Sequence, residues 1–409
     1  MVVKNKHFII TILTVLIPML FQFIYIRYVS YNVDKEVYGN FILLQTLIVA
    51  LSYIFLQIPS QAYDRFYNTV KNKVSYVNEF RTILIFVNIF SVFIISIYGY
   101  VMKKFSYEIL FLIYIFFLLL NNYSFNQKVF LLNLERTNYF YLKVLESIAK
   151  FIMPIVFYFY FQTLEAFLGG LVFGYMISFL ILTKFMKNYP FKININIENF
   201  KKYFLFAYPI IFVSIFSWGI SFSDRYFIEY LSGTRDVAIY AILAQVAGIG
   251  QIIGQIYSMY VNPKVLKLYE ENKRVGVVYL NSMLLKLIII FVFLSIIICV
   301  LPSDIYTILI EKELISKPYY LITFYILMIG VFFSISQTAL SMHLTLSKKI
   351  HILAYINFVA FSINILGNFF IKDYGILAAA ISTLIAYITL FLGQLYFIRK
   401  IYNANQQKT

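Results

Sequence analysis

The sequence predicts an all-α integral membrane protein, and its composition and the spacing of its apolar residues support this. Of 409 residues, 62% are hydrophobic and 13% are charged, and the mean hydropathy is +0.81. A soluble domain is about 45–50% apolar and about 25% charged, because polar side chains must cover its surface. The apolar residues fall into runs of about 20, the helix length that crosses a bilayer. A soluble globular fold is therefore excluded.

Twelve membrane-spanning helices are predicted, each an apolar run that ends at a charged cluster. The first follows Lys4 and Lys6, but its length and the absence of a small-x-small cleavage site predict a retained helix rather than a signal peptide. The connections 64–81 and 184–202 are the longest, and neither can hold a soluble catalytic domain. In chain order the predicted spans are 8–29, 40–63, 82–102, 109–127, 141–162, 167–183, 203–228, 237–261, 279–301, 319–344, 351–371 and 375–398.

The distribution of Lys and Arg predicts the orientation in the membrane, because basic residues are retained on the cytoplasmic side. Basic residues number 24 on the face that holds both termini and 8 on the other when Lys143, Arg225 and Lys286 are counted with the nearest connection, and Arg27 and Lys150 are left inside spans. Both termini are therefore predicted to be cytoplasmic. The net charge of +16 is explained by topology and by attraction to anionic inner-leaflet lipid rather than by nucleic acid.

A short internal repeat relates the two halves of the chain. Lys35-Glu36-Val37, with Ile42-Leu43 and Gln45 after it, corresponds at an offset of 200 to Arg235-Asp236-Val237 with Ile242-Leu243 and Gln245. Six spans per half give both halves the same membrane orientation. The repeat is therefore predicted to be parallel, as in duplicated transporter bundles.

Several local patterns resemble the bacterial oligosaccharide flippases, which export O-antigen and other polysaccharide repeat units and belong to a superfamily that includes multidrug exporters. These patterns are Arg27 before Glu36-Val37-Tyr38-Gly39, and Tyr208-Pro209 leading to the run from Ser223 to Ile228 and then to Val237–Tyr240. The chain has Ala238-Ile239-Tyr240 at a position in its second half where members of this family more often have a Gly-x-Tyr pattern.

The resemblance implies two six-helix lobes, residues 1–200 and 201–409, around a central cavity. It also implies alternating access in a bacterial inner membrane. The cargo would be an undecaprenyl-diphosphate-linked oligosaccharide, carried from the cytoplasmic to the periplasmic leaflet. The implied partners are this substrate, membrane lipids, a polysaccharide polymerase and a chain-length regulator.

Polar side chains at helical spacing are the first candidates for substrate contact. Gln251 and Gln255 share one helix face, as do Asn357 and Asn364. Amides are costly against lipid, so these faces are expected to point inward. They either line a wet cavity or form hydrogen bonds between helices.

Charged residues within the spans are scarcer and more informative. Lys143, Glu146 and Lys150 share a face; they either snorkel to the interface or present two cations to a diphosphate, with Glu146 fixing their geometry. Arg27 and Arg225 approach the outer ends of their spans and either snorkel or bind phosphate. Asp224 either neutralises Arg225 or couples transport to an ion, and Glu146 is the second candidate for ion coupling.

The sequence gives no sign of an enzyme, a bound metal or a cofactor. His7, His343 and His351 lack metal-ligand spacing, and no phosphate-binding loop occurs. Two other functions remain open. A cation-coupled exporter would favour an acidic residue deep in a span, and a membrane glycan polymerase would favour a long outer loop with catalytic charges.

Overall fold

The computed structural model describes residues 2–67, 70–347 and 349–406, and throughout these ranges the regular secondary structure is helical. Contacts divide the chain into two compact units, Met1–Ser214 and Ile215–Thr409. The first unit holds α1 (Val2–Asn32), α2 (Lys35–Leu51), α3 (Gln57–Phe66), α4 (Lys73–Met102), α5 (Tyr107–Leu132), α6 (Arg136–Ser147), α7 (Met153–Phe161), α8 (Leu164–Phe185) and most of α9 (Ile197–Phe222).

The second unit continues the all-helical pattern. Its helices are α10 (Asp224–Ser232), α11 (Thr234–Ala247), α12 (Gln251–Glu271), α13 (Lys273–Val300), α14 (Lys312–Ile315), α15 (Pro318–Leu346), α16 (Ile350–Asn368) and α17 (Ile371–Gln406). Gly375, with φ of +52°, kinks α17 near its start. Glycine has no Cβ and adopts this left-handed backbone without strain.

The number of membrane spans agrees with the prediction. In the described ranges, eleven helical segments are long and apolar enough to cross a membrane, and the pair Ile197–Leu205 and Ile210–Ser232, bent by 57°, makes a twelfth. Each predicted span coincides with one of them. The prediction of an all-α protein with about twelve spans is confirmed.

One predicted boundary was wrong. The connection 64–81 was expected to be a loop, but α4 begins at Lys73, where the Asn72 side chain accepts a hydrogen bond from the Ser75 amide and caps the helix. The first nine residues of α4, 73–81, mix polar with apolar side chains, so hydropathy did not reveal them as part of the span. Glu79 and Arg81 consequently lie inside a helix.

The two repeat motifs occupy equivalent positions in local structure. Lys35 is the first residue of α2, whose cap is Asp34, and Arg235 is the second residue of α11. Each motif therefore opens the second span of its half. This agreement extends the short sequence match to secondary structure.

Two prolines widen the helices that contain them. A π-helical segment spans Ser52–Leu56 and another spans Ile148–Ile152; Pro59 and Pro154 follow them. Proline has no N–H to donate to the carbonyl four residues earlier, and its ring clashes with that carbonyl. The affected carbonyls belong to Phe55 and Lys150, so Pro154 explains why the helix is widened at Lys150.

Glycines in α8 allow close approach to this widened segment. A Cβ on Gly170 would lie 2.5 Å from the Met153 carbonyl oxygen, and one on Gly174 would lie 2.7 Å from the Ala149 Cα. Both glycines therefore serve close helix packing. The backbone around Lys150 is thus held directly against α8.

Gly169 and Gly170 provide a matched test of this packing. A Cβ on Gly169 meets only a Phe157 ring carbon at 3.9 Å, so Gly169→Ala should keep or raise thermal stability through better helix propensity, by up to about 1 kcal/mol. Gly170→Ala should lower stability by about 1–3 kcal/mol through overpacking. Thermal melting of the detergent-solubilised protein distinguishes them. A Gly170→Ala protein that melts as high as Gly169→Ala would contradict the close contact.

Candidate functional site

A buried ion pair lies at the start of α10. Asp224 is 1% exposed, and its Oδ1 lies 3.0 Å from Arg225 Nη1. The same Oδ1 accepts a hydrogen bond from the Arg225 amide at 2.9 Å. As the first residue of α10, Asp224 meets the unpaired amides and positive dipole of a helix N-terminus, which stabilise a carboxylate.

The second carboxylate oxygen is also occupied. The Tyr240 hydroxyl, on α11, donates a hydrogen bond to Asp224 Oδ2 at 2.6 Å. Tyr240 is itself buried. Asp224 is therefore fixed from two helices, and the expectation that it neutralises Arg225 matches this geometry. Its alternative role in ion coupling stays a prediction.

Only part of the Arg225 guanidinium is used by the protein. Nη1 donates to Asp224 and, at 2.8 Å, to the Ser221 carbonyl, and the group lies 4.8 Å from the Phe222 ring centroid. Nε and Nη2 form no hydrogen bond with the described residues, although the side chain is only 12% exposed. The guanidinium therefore keeps an edge with two donor nitrogens, the geometry that binds two oxygens of a phosphate.

The predicted amide positions on α16 are buried in contacts between helices. Asn357 Oδ1 accepts a hydrogen bond from Ser217 at 3.0 Å. The Asn364 amide donates to Thr383 at 3.2 Å and is 0% exposed. This geometry favours the interhelical role over the cavity role for both residues.

The two glutamines on α12 differ from each other. Gln251 is half-buried, and its amide lies 3.5 Å from the Ser334 hydroxyl, which is a long hydrogen bond. Gln255, one helical turn later, is exposed and forms no hydrogen bond with any described residue. Of the four predicted amides, Gln255 is the one most accessible to a substrate.

The first unit carries a second group of charges, along α6 and the π-helical segment after it. Lys143 Nζ forms an ion pair with Glu146 Oε2 at 2.7 Å. Lys150 is exposed, its Nζ lies 5.1 Å from the Phe151 ring centroid, and it pairs with no described acidic residue. Glu146 thus neutralises Lys143 and leaves Lys150 as an accessible cation.

Arg27, near the end of α1, has a different setting from Arg225. It is exposed, and its guanidinium lies 5.1 Å from the Tyr31 ring centroid. The predicted charged residues of the site therefore form two local groups, Asp224 with Arg225 in the second unit and Lys143 with Glu146 and Lys150 in the first. Arg27 lies outside both groups.

Sequence reasoning missed three charged residues within the helices. Arg81 is 8% exposed, and its Nη1 donates a hydrogen bond to the Tyr189 carbonyl at 2.7 Å. Glu79 is 9% exposed and accepts from Tyr203 at 3.1 Å. Lys286 is exposed in the middle of α13. The scarcity of charge inside apolar runs could have found Lys286, which lies within the predicted span 279–301, but not Glu79 and Arg81, which the predicted bounds left in a connection.

A metal site has no support in the described ranges, where no three His, Cys, Asp or Glu residues are grouped closely enough to hold an ion. The two groups of candidate charges, Asp224 with Arg225 and Lys143 with Glu146 and Lys150, each combine an ion pair with cationic nitrogens that the pair does not use. Such an arrangement suits an anionic ligand better than a metal ion.

Comparison with known proteins identifies relatives of the chain. The family model described as polysaccharide biosynthesis protein matches residues 5–263, and the MatE model matches residues 209–370. The capsular polysaccharide biosynthesis protein CapF of Staphylococcus aureus is 25% identical over 341 residues, which cover 80% of this chain and 83% of that protein.

Solved structures share the fold. The lipid II flippase MurJ in its inward closed conformation superposes with a TM-score of 0.68 at 16% identity, over 97% of this chain and 87% of that one. An inward-facing multidrug resistance MATE family transporter gives 0.66 at 13% identity, over 96% and 99%. The fold is therefore that of these transporters.

The contact between Asp224 and Tyr240 can be tested by a double-mutant cycle. Asp224→Asn should lower stability by about 3 kcal/mol, because it removes the counterion of a buried arginine. Tyr240→Phe should cost about 1–3 kcal/mol, because it leaves a buried carboxylate oxygen without a donor. The double variant should fall short of the sum, since the residues are in contact.

Thermal melting in detergent measures this cycle. Tyr396→Phe is the control, because Tyr396 is 61% exposed and forms no hydrogen bond with the described residues. Strictly additive shifts would show that the carboxylate and the hydroxyl do not interact.

Proposed function

The chain belongs to the polysaccharide biosynthesis protein family, and we propose that it is a flippase for a lipid-linked oligosaccharide. The substrate is an undecaprenyl-diphosphate-linked repeat unit of O-antigen or another polysaccharide, which moves from the cytoplasmic to the periplasmic leaflet by alternating access. The match of the family model to residues 5–263 and the fold shared with a lipid II flippase support this proposal.

The observation that carries it is the half-used guanidinium of Arg225. A diphosphate linker presents oxygens that accept two parallel hydrogen bonds from one arginine edge. Arg225 keeps that edge, while its Nη1 donates to Asp224 and to the Ser221 carbonyl, and Tyr240 in turn holds the Asp224 carboxylate. The arginine is thus oriented before the anion arrives, so that little side-chain entropy is lost on binding.

Lys150 supplies a second cation in the proposed cycle. Its ammonium is exposed, and the backbone beneath it is shaped by Pro154 and packed against Gly170 and Gly174. The ion pair with Glu146 makes Lys143 the weaker electrostatic partner for a diphosphate. Gln255 adds an exposed amide suited to sugar hydroxyls.

A cation-coupled exporter is the second candidate function. The MatE model matches residues 209–370, which include Asp224, and a buried carboxylate can carry a proton between states.

A strain that lacks the gene distinguishes the two functions. In such a strain, a lost flippase leaves single lipid-linked repeat units facing the cytoplasm. A lost drug exporter leaves glycan assembly intact and raises sensitivity to lipophilic cations.

The proposal also covers the orientation of the chain in the membrane and the proteins that act with it. We place the protein in the bacterial inner membrane with both termini cytoplasmic, and the six-helix lobes at residues 1–200 and 201–409. A polysaccharide polymerase and a chain-length regulator are the partners expected to receive its product. Reaction of a cysteine placed at either terminus with a membrane-impermeant thiol reagent tests the orientation, because cytoplasmic thiols are labelled only after cell lysis.

Arg225→Lys tests whether translocation needs the planar arginine edge. Lysine keeps the charge but cannot offer two parallel N–H groups, so we expect translocation to fall at least about tenfold, since a charge-assisted hydrogen bond contributes about 1.5–3 kcal/mol. Accumulation of cytoplasm-facing lipid-linked repeat units is measured alongside membrane abundance. Equal translocation by Arg225→Lys would reject the bidentate contact.

Lys150 is tested separately with Lys184 as its control. Lys150→Gln and the double change of Lys143 and Lys150 to Gln should each reduce translocation, because each weakens the attraction for a diphosphate. Lys184 is an exposed lysine in the last turn of α8, and Lys184→Gln should leave translocation unchanged. Normal export by the double variant at normal abundance would remove both lysines from the site.

A further inference from the structure

The segment between α8 and α9 has an amphipathic pattern that the proposed transport function does not explain. Residues 191–197 alternate apolar with polar side chains, and residues 190–196 form no helix. Among the polar residues, Asn194 is held within the unit, because its side-chain amide donates hydrogen bonds to the Ser75 hydroxyl at 2.9 Å and the Ser75 carbonyl at 3.2 Å. The alternating apolar side chains are large and 58–77% exposed, namely Phe191, Ile193, Ile195 and Ile197.

A pocket of about 410 Å³ opens beside this apolar row. Phe86, Val87 and Phe90 of α4 form one wall, and Ile195, Phe200 and Tyr203 form another. Its volume lies in the range of about 300–1,000 Å³ that is typical of small-molecule sites. The pocket is therefore large enough for part of a lipid chain.

Glu79 is the one acidic residue that lines this pocket, and both of its carboxylate oxygens accept hydrogen bonds. Asn199 donates to Glu79 Oε1 at 3.2 Å and to Oε2 at 3.1 Å, and Tyr203 donates to Oε2 at 3.1 Å. Because these hydrogen bonds satisfy the carboxylate, the surface that remains is hydrocarbon. Such a pocket suits an acyl chain rather than a cation or a sugar.

Charge near the pocket is strongly positive. Residues 184–202 contain five lysines and one glutamate. Lys201 and Lys202 are exposed and lie between Phe200 and Tyr203, which both line the pocket. Lys202 Nζ also lies 4.7 Å from the Phe66 ring centroid. Exposed lysines next to apolar side chains attract the anionic headgroups of membrane lipids.

We propose that residues 190–204 lie in the membrane interface and bind one anionic phospholipid, with an acyl chain in the pocket and the phosphate at Lys201 and Lys202. The apolar row Phe191, Ile193, Ile195 and Ile197 inserts between neighbouring lipids. This site lies within the first unit and does not depend on Asp224, Arg225 or Lys150. The lipid is a resident ligand, separate from the transported one.

Native mass spectrometry of the full-length, delipidated protein tests the headgroup contact. With equimolar dioleoyl phosphatidylglycerol and phosphatidylcholine, the wild type should retain one phosphatidylglycerol in at least about fivefold preference, the effect of one lysine at an anionic surface. Changing Lys201 and Lys202 to Gln should abolish that preference. The same change at Lys103 and Lys104, two exposed lysines at the other end of α4, should preserve it.

Substitutions in the pocket test whether it holds an acyl chain. Val87→Trp should block the pocket and reduce retention of both lipids, whereas Ile97→Trp, at a 62% exposed position on the same helix, should not. Ile83→Phe fills the same pocket more mildly if Val87→Trp fails to fold. Unchanged retention in the folded pocket variants would overturn the chain assignment. Equal retention of the two lipids by the wild type would overturn the anionic headgroup.

Discussion

A charged side chain in a membrane-spanning helix costs about 3 kcal/mol or more unless the protein or water supplies it with partners. The chain meets this cost in three ways. Asp224 and Arg225 neutralise each other within a buried pair. Glu79 and Arg81 are held by neutral amides, hydroxyls and carbonyls. Lys150 stays exposed beside an aromatic ring.

The same constraint distinguishes structural charges from functional ones. Arg81 Nε donates to Asn126, and its Nη1 donates to Asn78 and to the Tyr189 carbonyl; the guanidinium thus ties α4 to α5 and to the segment after α8. Among the residues that the structure describes, Arg225 has hydrogen-bond acceptors for Nη1 alone of its side-chain nitrogens. An arginine that is mostly buried and only partly bonded has capacity left for an anion.

Much of this fold could be predicted from sequence because the signal is repeated over many residues. The hydropathy of a membrane span is averaged over about 20 residues. The twelve spans could therefore be found, although individual ends were misplaced. Arg81 was missed because α4 begins with a polar stretch capped by Asn72. Hydropathy cannot separate such a turn from a loop.

The candidate site was less predictable because it depends on contacts between helices. Helical spacing places Asn357 and Asn364 on one face, but it does not say whether that face meets a cavity or the hydroxyls of another helix. Tyr240 was noted only among the residues that resemble the flippase family, since its contact with Asp224 forms between two helices that are separated at Gly233. Sequence identified the charged residue, and the structure identified what orients it.

The connection 184–202 shows that one stretch of sequence can carry two physical signals. Its five lysines indicate cytoplasmic topology through their number alone. Its alternation of polar and apolar residues is a separate signal, because Asn194 bonds to α4 while Ile193 and Ile195 project to the exposed side. A flexible polar linker would need neither the alternation nor the hydrogen bonds. The basic residues that predict the orientation therefore sit on a backbone that α4 holds in place, and the lysines and the apolar side chains can act on the same lipid surface.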